Sequence, residues 1–454
     1  MMVMQASCLV RKLAHAALAL ALLASPALAA GPDDVKHLIV IYGENRSFDN
    51  LYGLFPGADG LANAAATATQ VDKNGKPYAS LPQPIDTNLK PPAPDSRFPA
   101  DLPNKPFDIA KYVPIGVKTG DLVHRYWQEI EQIDGGKMDK FVAWSDAAGL
   151  AMGHYDGSGM ALWKVAQNYA LADHFFHGAF GGSFLNHFFL VCACAPRYDN
   201  APDALVAKFD ADGHLVVPGP DVVTPNGYAV NTIQSIYMPH AASITDTSRL
   251  LPPQTMPTIG DRLSAKGVDW VWYSGGWDDA LAGKPDPLFQ FHHQPFAYFK
   301  AYADGTEAKA KHLKDYKDLE KALATGSLPP VTFYKPIGSL NQHPGYADVM
   351  SGDRHIADLI AKIEQSPIWK DTLVIVTYDE HGGYWDHVPP PKVDEWGPGL
   401  RVPTLFIGPM VKKGFVDHTP YETSSIVRFI EQKYGLEPLA SRDRSAPQLS
   451  GFFE

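Results

Sequence analysis

Cysteine is scarce in this chain: three residues in 454, of which Cys8 lies in the first 30 residues. Cys192 and Cys194 remain, two positions apart, a spacing at which a bridge between them would be strained. A disulfide framework is therefore not expected, and the expected setting is oxidising, periplasmic or secreted. Basic tracts are missing too. The formal net charge is −11, and Lys and Arg form no stripe interleaved with aromatics, so no nucleic acid binding surface is expected. Beyond residue 30 no run approaches the roughly 20 apolar residues of a spanning helix, and no stable membrane anchor is expected. Internal repeats and clean linkers are absent, which favours one domain over residues 31–454. The first 30 residues differ from the rest. Arg11 and Lys12 precede an unbroken apolar run over 16–24, and Ala27, Leu28 and Ala29 have the small-x-small form of a cleavage site. Residues 1–30 read as an export signal, whose removal takes two cations from the total of −11 and leaves −13.

What is present gathers at the ends of apolar runs. Residues 373–376 are an apolar, mostly β-branched run between polar neighbours, the pattern of a strand covered on both faces. Asp379, Glu380 and His381 follow it. Gly382 and Gly383 then let the chain turn sharply, so that the three side chains can face one crevice at the carboxyl end of the strand. Residues 35–42 are a second such run, leading through Gly43 into Glu44 and Asn45. Side by side, the two strand ends would bring Glu44, Asn45, Asp379 and Glu380 together as an all-oxygen set for one hard divalent metal ion. A solvated acidic turn is the plainer reading of either pair alone. Asn45, Arg46 and Ser47 also fit a glycosylation sequon, set aside because Asn45 has a better role at the strand end.

Residues 60–115 contain nine prolines between Pro77 and Pro106, which excludes regular helix and central strand and predicts a surface insertion. Helical period returns over 121–130, where His124 taken alone reads as a structural histidine. Gly181, Gly182 and Ser183 lead into an apolar segment. That arrangement either sets a hydroxyl at a helix amino terminus, where an anion is favoured, or makes Ser183 a simple cap. The pair of glycines that flanks a Gly-x-Ser-x-Gly elbow is incomplete, with Leu185 at the last position, so a lipase-type triad is a poor match. Residues 197–255 predict a second irregular insertion with a hairpin over 208–216 and no readable function. Helices are expected over 160–169, 258–266, 353–365 and 424–433, and strands over 268–273, 330–336 and 401–408. His292 and His293 would face different ways on any regular element, with one pointing inward, and His343 follows a strand end. The alternation predicts an α/β fold: a mostly parallel central sheet flanked by helices.

Five ordered motifs carry a resemblance: Glu44-Asn-Arg-Ser-Phe-Asp49, Gly182-Ser-Phe-Leu-Asn-His187, His292-His-Gln-Pro-Phe296, Asn341-Gln-His-Pro344 and Thr377-Tyr-Asp-Glu-His-Gly-Gly383. Over residues 36–434 the chain resembles the bacterial phosphoesterase family, which joins phospholipases C with an acid phosphatase branch. The resemblance implies an alkaline-phosphatase-like fold and a metal held by Glu44, Asn45, Asp379 and Glu380. It also implies Ser183 as nucleophile, with His124, His293 and His343 around the phosphate. Phospholipase members usually have threonine at the Ser183 position and asparagine where this chain has His381, so the acid phosphatase branch fits better. The expectation is an exported, metal-dependent acid phosphatase that hydrolyses small soluble phosphomonoesters through a phosphoserine intermediate. Phospholipase C is the alternative enzyme, and a phosphate- or metal-binding protein the non-enzymatic one. Three carboxylates around one divalent ion leave a charge near −1, which the three histidines, protonated below about pH 6.5, are expected to offset, giving an acidic optimum. A phospholipase also needs an apolar approach surface, for which Phe291, Phe296, Tyr298 and Phe299 are the visible candidates.

Overall fold

Two apolar runs that end in acidic residues lie next to each other at the centre of the protein. The computed structural model describes residues 31–216 and 222–454; the export signal expected over 1–30 lies outside them. Among the described residues, eight strands form the main sheet: β1 (His37–Gly43), β2 (Ala170–Ala172), β3 (Trp270–Ser274), β4 (Leu313–Asp315), β5 (Val331–Lys335), β6 (Thr372–Tyr378), β7 (Thr404–Ile407) and β8 (Phe415–Asp417). Their spatial order is β8-β2-β7-β6-β1-β5-β3-β4. β1 lies between β5 and β6 and is parallel to both. Every residue of β6 is buried, and every residue of β1 except His37. Covered faces explain why both strands are nearly continuous in Val, Ile and Leu, each worth about 1.5–3 kcal/mol when removed from water.

The expected mostly parallel sheet is present, with one reversed member: β7 runs antiparallel to both of its neighbours. It begins at Thr404 rather than 401, because Pro403 has no N–H to give to a ladder and the buried Arg401 guanidinium is turned to the Asp386 carboxylate at 2.8 Å. Helices that matter for the site are α1 (Phe48–Tyr52), α2 (Tyr126–Ile133), α3 (Ala161–Asn168), α4 (Ser183–Cys192), α5 (Ile259–Ala265), α6 (Val349–Glu364) and α7 (Thr423–Tyr434). α6 starts before the expected residue 353 because the Asp348 side chain accepts from the Ser351 N–H and caps it there. α2 starts later than the expected residue 121. The preceding segment is drawn into tertiary bonds instead, with Thr87 Oγ1 donating to the Asp121 carbonyl at 2.7 Å and the Val123 N–H to Asp146 at 2.7 Å. The proline-rich stretch thereby braces the loop that carries His124.

Cys192 and Cys194 are bonded to each other, contrary to expectation. Ala193 between them is left-handed (φ 49°), which turns the chain back at the end of α4 and brings the two Cα atoms to 5.2 Å, within the range a bridge requires.

Candidate active site

The register of β1 against β6 pairs Gly43 with Tyr378, so Glu44 and Asp379 leave neighbouring strands at the same level. Asn45 then adopts a left-handed conformation (φ 60°), which Asn tolerates better than most residues, and its N–H donates to Asp379 Oδ1 at 3.2 Å. The Arg46 N–H donates to the Glu380 carbonyl at 3.0 Å, which interlocks the two turns. Gly382 has φ 65°, and a Cβ there would sit 2.2 Å from the Asn45 carbonyl oxygen. Only glycine allows this closeness. Glu44, Asn45, Asp379 and Glu380 are all buried, as expected for residues brought to one point.

Ser183 is the first residue of α4, and the cap position belongs to Gly182. Its hydroxyl caps nothing. Oγ lies 3.1 Å from Asn45 Oδ1 and 3.3 Å from Glu380 Oε1, and donates its hydrogen toward that pair. The simple-cap reading is therefore discarded. His124 is 3.2 Å from Asn45 Nδ2 through Nε2 and 2.5 Å from the Leu122 carbonyl through Nδ1. Its Nδ1 is the donor and its Nε2 accepts from the Asn45 amide, so serine, asparagine and imidazole form one chain of bonds. His343 bonds the Pro344 carbonyl through Nδ1 at 2.6 Å and stacks on Tyr346 at 4.0 Å between centroids, with the His124 ring 5.4 Å away.

The pair of adjacent histidines differs from the expectation. Both are buried. His292 lines the cavity in front of Ser183, whereas His293 turns its Nε2 to Glu44 Oε1 behind it. A short helical turn over Phe291–His293 places both side chains inward, which a strand would not do. Glu44, His292 and His293 form a group of potential metal donors, so nitrogen is available beside the expected oxygens.

Lys335, the last residue of β5, was not legible as a site residue. Its ammonium is fully buried, 3.1 Å from the Gly43 carbonyl, 3.1 Å from Asp379 Oδ2 and 3.4 Å from Glu44 Oε1. The only sequence signal is a lysine closing an otherwise apolar strand before Pro336. Its presence corrects the electrostatic expectation. Burial pushes His124, His292, His293 and His343 down from the usual imidazole range, His343 to about 3, against the protonation expected of them below about pH 6.5. Burial also pushes the Asp379 and Glu380 carboxyls up, Glu380 further through repulsion by Asp379.

These residues fit a divalent ion. Three buried carboxyl groups face one lysine, and a divalent ion among them would favour the ionised forms of Asp379 and Glu380 that burial otherwise disfavours. Glu44 Oε1 and His293 Nε2 face each other, and both lack a hydrogen-bond partner. In front of them opens a cavity of about 300 Å³ lined by Glu44, Ser183, His124, His292, His343 and Tyr346. Asn231, from the irregular segment 197–255, also contributes to its wall, a role its sequence gave no sign of.

A hydroxyl at the head of a helix, set among acid and imidazole groups at the carboxyl edge of a mostly parallel sheet, has the makeup of an ester hydrolase that handles an anionic group. The chain belongs to the phosphoesterase family, whose profile matches residues 35–437. It is similar to the non-hemolytic phospholipase C of Pseudomonas aeruginosa, with 23% identity over 456 residues, covering 91% of this chain and 56% of that protein. Non-specific phospholipase C6 of Arabidopsis thaliana is 32% identical over 251 residues, covering 48% of this chain and 44% of that one. The chain thus spans about half the length of these curated relatives. Among solved structures, a protein in the alkaline phosphatase superfamily from Vibrio parahaemolyticus matches with a TM-score of 0.35 and 11% identity over 74% of each chain. The relatives named here are phospholipases C, and the acid phosphatase branch expected from Ser183 has no support among them.

Proposed function

We propose that the protein cleaves phosphodiesters of the phospholipid headgroup class, in the manner of a phospholipase C, through a phosphoseryl intermediate on Ser183. The observation that carries the reaction is the placement of Ser183 Oγ, between Asn45 Oδ1 and Glu380 Oε1 and facing the cavity. Oγ attacks phosphorus, its proton passing to Glu380. The bond from phosphorus to the diacylglycerol oxygen breaks, and that oxygen leaves with the proton that Glu380 took from Ser183. Water then cleaves the phosphoseryl ester and frees the phosphorylated headgroup. Backbone N–H groups at the start of α4 face the developing negative charge, and the imidazole of His343, whose Nδ1 is held by the Pro344 carbonyl, accepts a hydrogen bond from the attacking water through Nε2. Glu44, Asn45, Asp379 and Glu380 would hold a divalent ion, which when bound lowers the pKa of the serine hydroxyl and neutralises phosphoryl oxygens.

One observation supports the substrate class: the relatives are phospholipases C. A second reading, a phosphomonoesterase, is favoured by one feature. Phe296, Tyr298 and Phe299, expected as an apolar approach surface, are at most 1% exposed and offer no such surface. Export belongs to the same proposal, supported by the reading of residues 1–30 and by the Cys192–Cys194 bridge. Among the described residues no helix is long and apolar enough to cross a membrane. The deciding experiment compares a soluble choline phosphodiester, phosphatidylcholine vesicles and a chromogenic phosphomonoester. We expect kcat/KM for the choline diester to exceed that for the monoester at least about tenfold, or about 1.4 kcal/mol of transition-state discrimination. Preference for the monoester would replace this reading with the second one, and no turnover of any ester would leave a binding protein.

A further inference from the structure

Glu129, His177 and His381 take no part in the reaction above. They come from three separate segments: α2, the stretch between β2 and α4, and the turn after β6. All three side chains are fully buried. Nε2 of His177 lies 3.1 Å from one Glu129 carboxylate oxygen and Nε2 of His381 lies 3.5 Å from the other, with the two rings parallel at 5.6 Å.

The remaining ring nitrogens are committed. His177 Nδ1 is 3.2 Å from Asn186 Oδ1. The orientation of that amide is fixed, because its nitrogen donates to the carbonyls of Ala179, Gly181 and Gly182 while its oxygen accepts from the Ala179 N–H at 2.9 Å. His381 Nδ1 is 3.1 Å from the Tyr384 carbonyl. Both partners can only accept, so both Nδ1 atoms carry hydrogen, and in the neutral rings both Nε2 lone pairs turn toward Glu129. Neither Nε2 has a hydrogen-bond partner. Two lone pairs set against a carboxylate repel it unless a positive centre lies between them.

We propose that Glu129, His177 and His381 form a second metal site, separate from the one beside Ser183, that takes a zinc-class divalent ion. Metal-nitrogen and metal-oxygen bonds of about 2.0–2.1 Å in a tetrahedron put neighbouring donors about 3.3–3.4 Å apart, and the two observed separations bracket that value. An imidazole that binds metal through one nitrogen and donates from the other to a carbonyl is the usual supporting arrangement. Two nitrogens and a carboxylate select a borderline ion such as zinc, whereas the oxygen-rich site beside Ser183 suits a harder one. The cluster is closed to exchange: a Cβ on Gly399 would lie 2.0 Å from His177 Cε1. The ion would therefore be structural. It would tie α2 to both halves of the active site, since Glu129 also accepts from the Gly181 N–H at 2.5 Å, two residues before Ser183, and His381 directly follows Glu380.

The test is the position and number of bound ions in the wild-type protein, so it does not depend on a variant folding or on turnover. Protein refolded with zinc and crystallised should show anomalous scattering at the zinc edge among Glu129, His177 and His381. Washing with excess magnesium should remove ions from the Ser183 side and leave this one. His177→Ala should hold one zinc ion fewer per chain than wild type. Wild-type crystals with no anomalous signal among the three residues would overturn the proposal and leave a triad held by added protons only. Ser183→Ala must bind the ion as wild type does, which keeps this result distinct from failure of the proposed reaction.

Discussion

A serine hydroxyl that caps nothing, at the head of a helix where hydroxyls commonly cap, is free to react. Ser183→Ala should lower turnover at least about a thousandfold while the divalent ion content measured on the purified protein stays unchanged, because the carboxylates hold the ion. Lys335 has a different signature. Lys335→Met leaves Glu44 and Asp379 without their buried cation, and unfolding in urea should show a loss of about 3–5 kcal/mol in metal-free protein, partly recovered on adding a divalent ion. Glu44, Asn45, Asp379 and Glu380 were legible because each directly follows an apolar run, and the strand that the run forms fixes where they go. Lys335 was not, since its partners are set by the lateral order of β5, β1 and β6, which no local pattern encodes. The choice between His292 and His293 likewise depended on a single helical turn too short to leave a period.

At the scale of the elements, the site depends on two turns that fit into each other. Gly382→Ala introduces a methyl that meets the Asn45 carbonyl in a backbone conformation that alanine disfavours. The turns must then separate, and we expect a loss of at least about 2 kcal/mol in thermal or urea unfolding together with near-complete loss of hydrolysis. Element types were legible wherever the period was long. The strands at 37–43, 331–335 and 372–378 and the helices at 161–168 and 423–434 lie where the pattern put them. The start of α2 was not, because Thr87 and Asp146 hold the backbone before it in bonds that span the chain. The reversal of β7 escaped for the same reason: an apolar run carries no mark of its direction.

For the molecule as a whole, charge governs which surfaces it can approach. With −13 over residues 31–454, it should be repelled by anionic bilayers. Raising ionic strength from about 0.01 to about 0.15 M shortens the screening length from about 30 to about 8 Å. Hydrolysis of anionic vesicles should rise over that range, while hydrolysis of a soluble zwitterionic diester changes little, as parallel assays would show. The sheet was legible in kind, and its mostly parallel order follows from the repeated strand-then-helix units. How residues 197–255 reach the cavity was not, since irregular chain has no period to read. The pairing of β1 with β6 also bears on when activity can begin. Asn45 and Asp379 are 334 positions apart, so a ribosome must make most of the chain before the two halves can meet. A nascent or clipped chain that ends before Asp379 carries Ser183 and Glu44 but lacks Asp379 and Glu380. The hydrolysis proposed above would therefore start only once synthesis is almost finished, and incomplete chains would be inert toward the phosphodiesters of the producing cell.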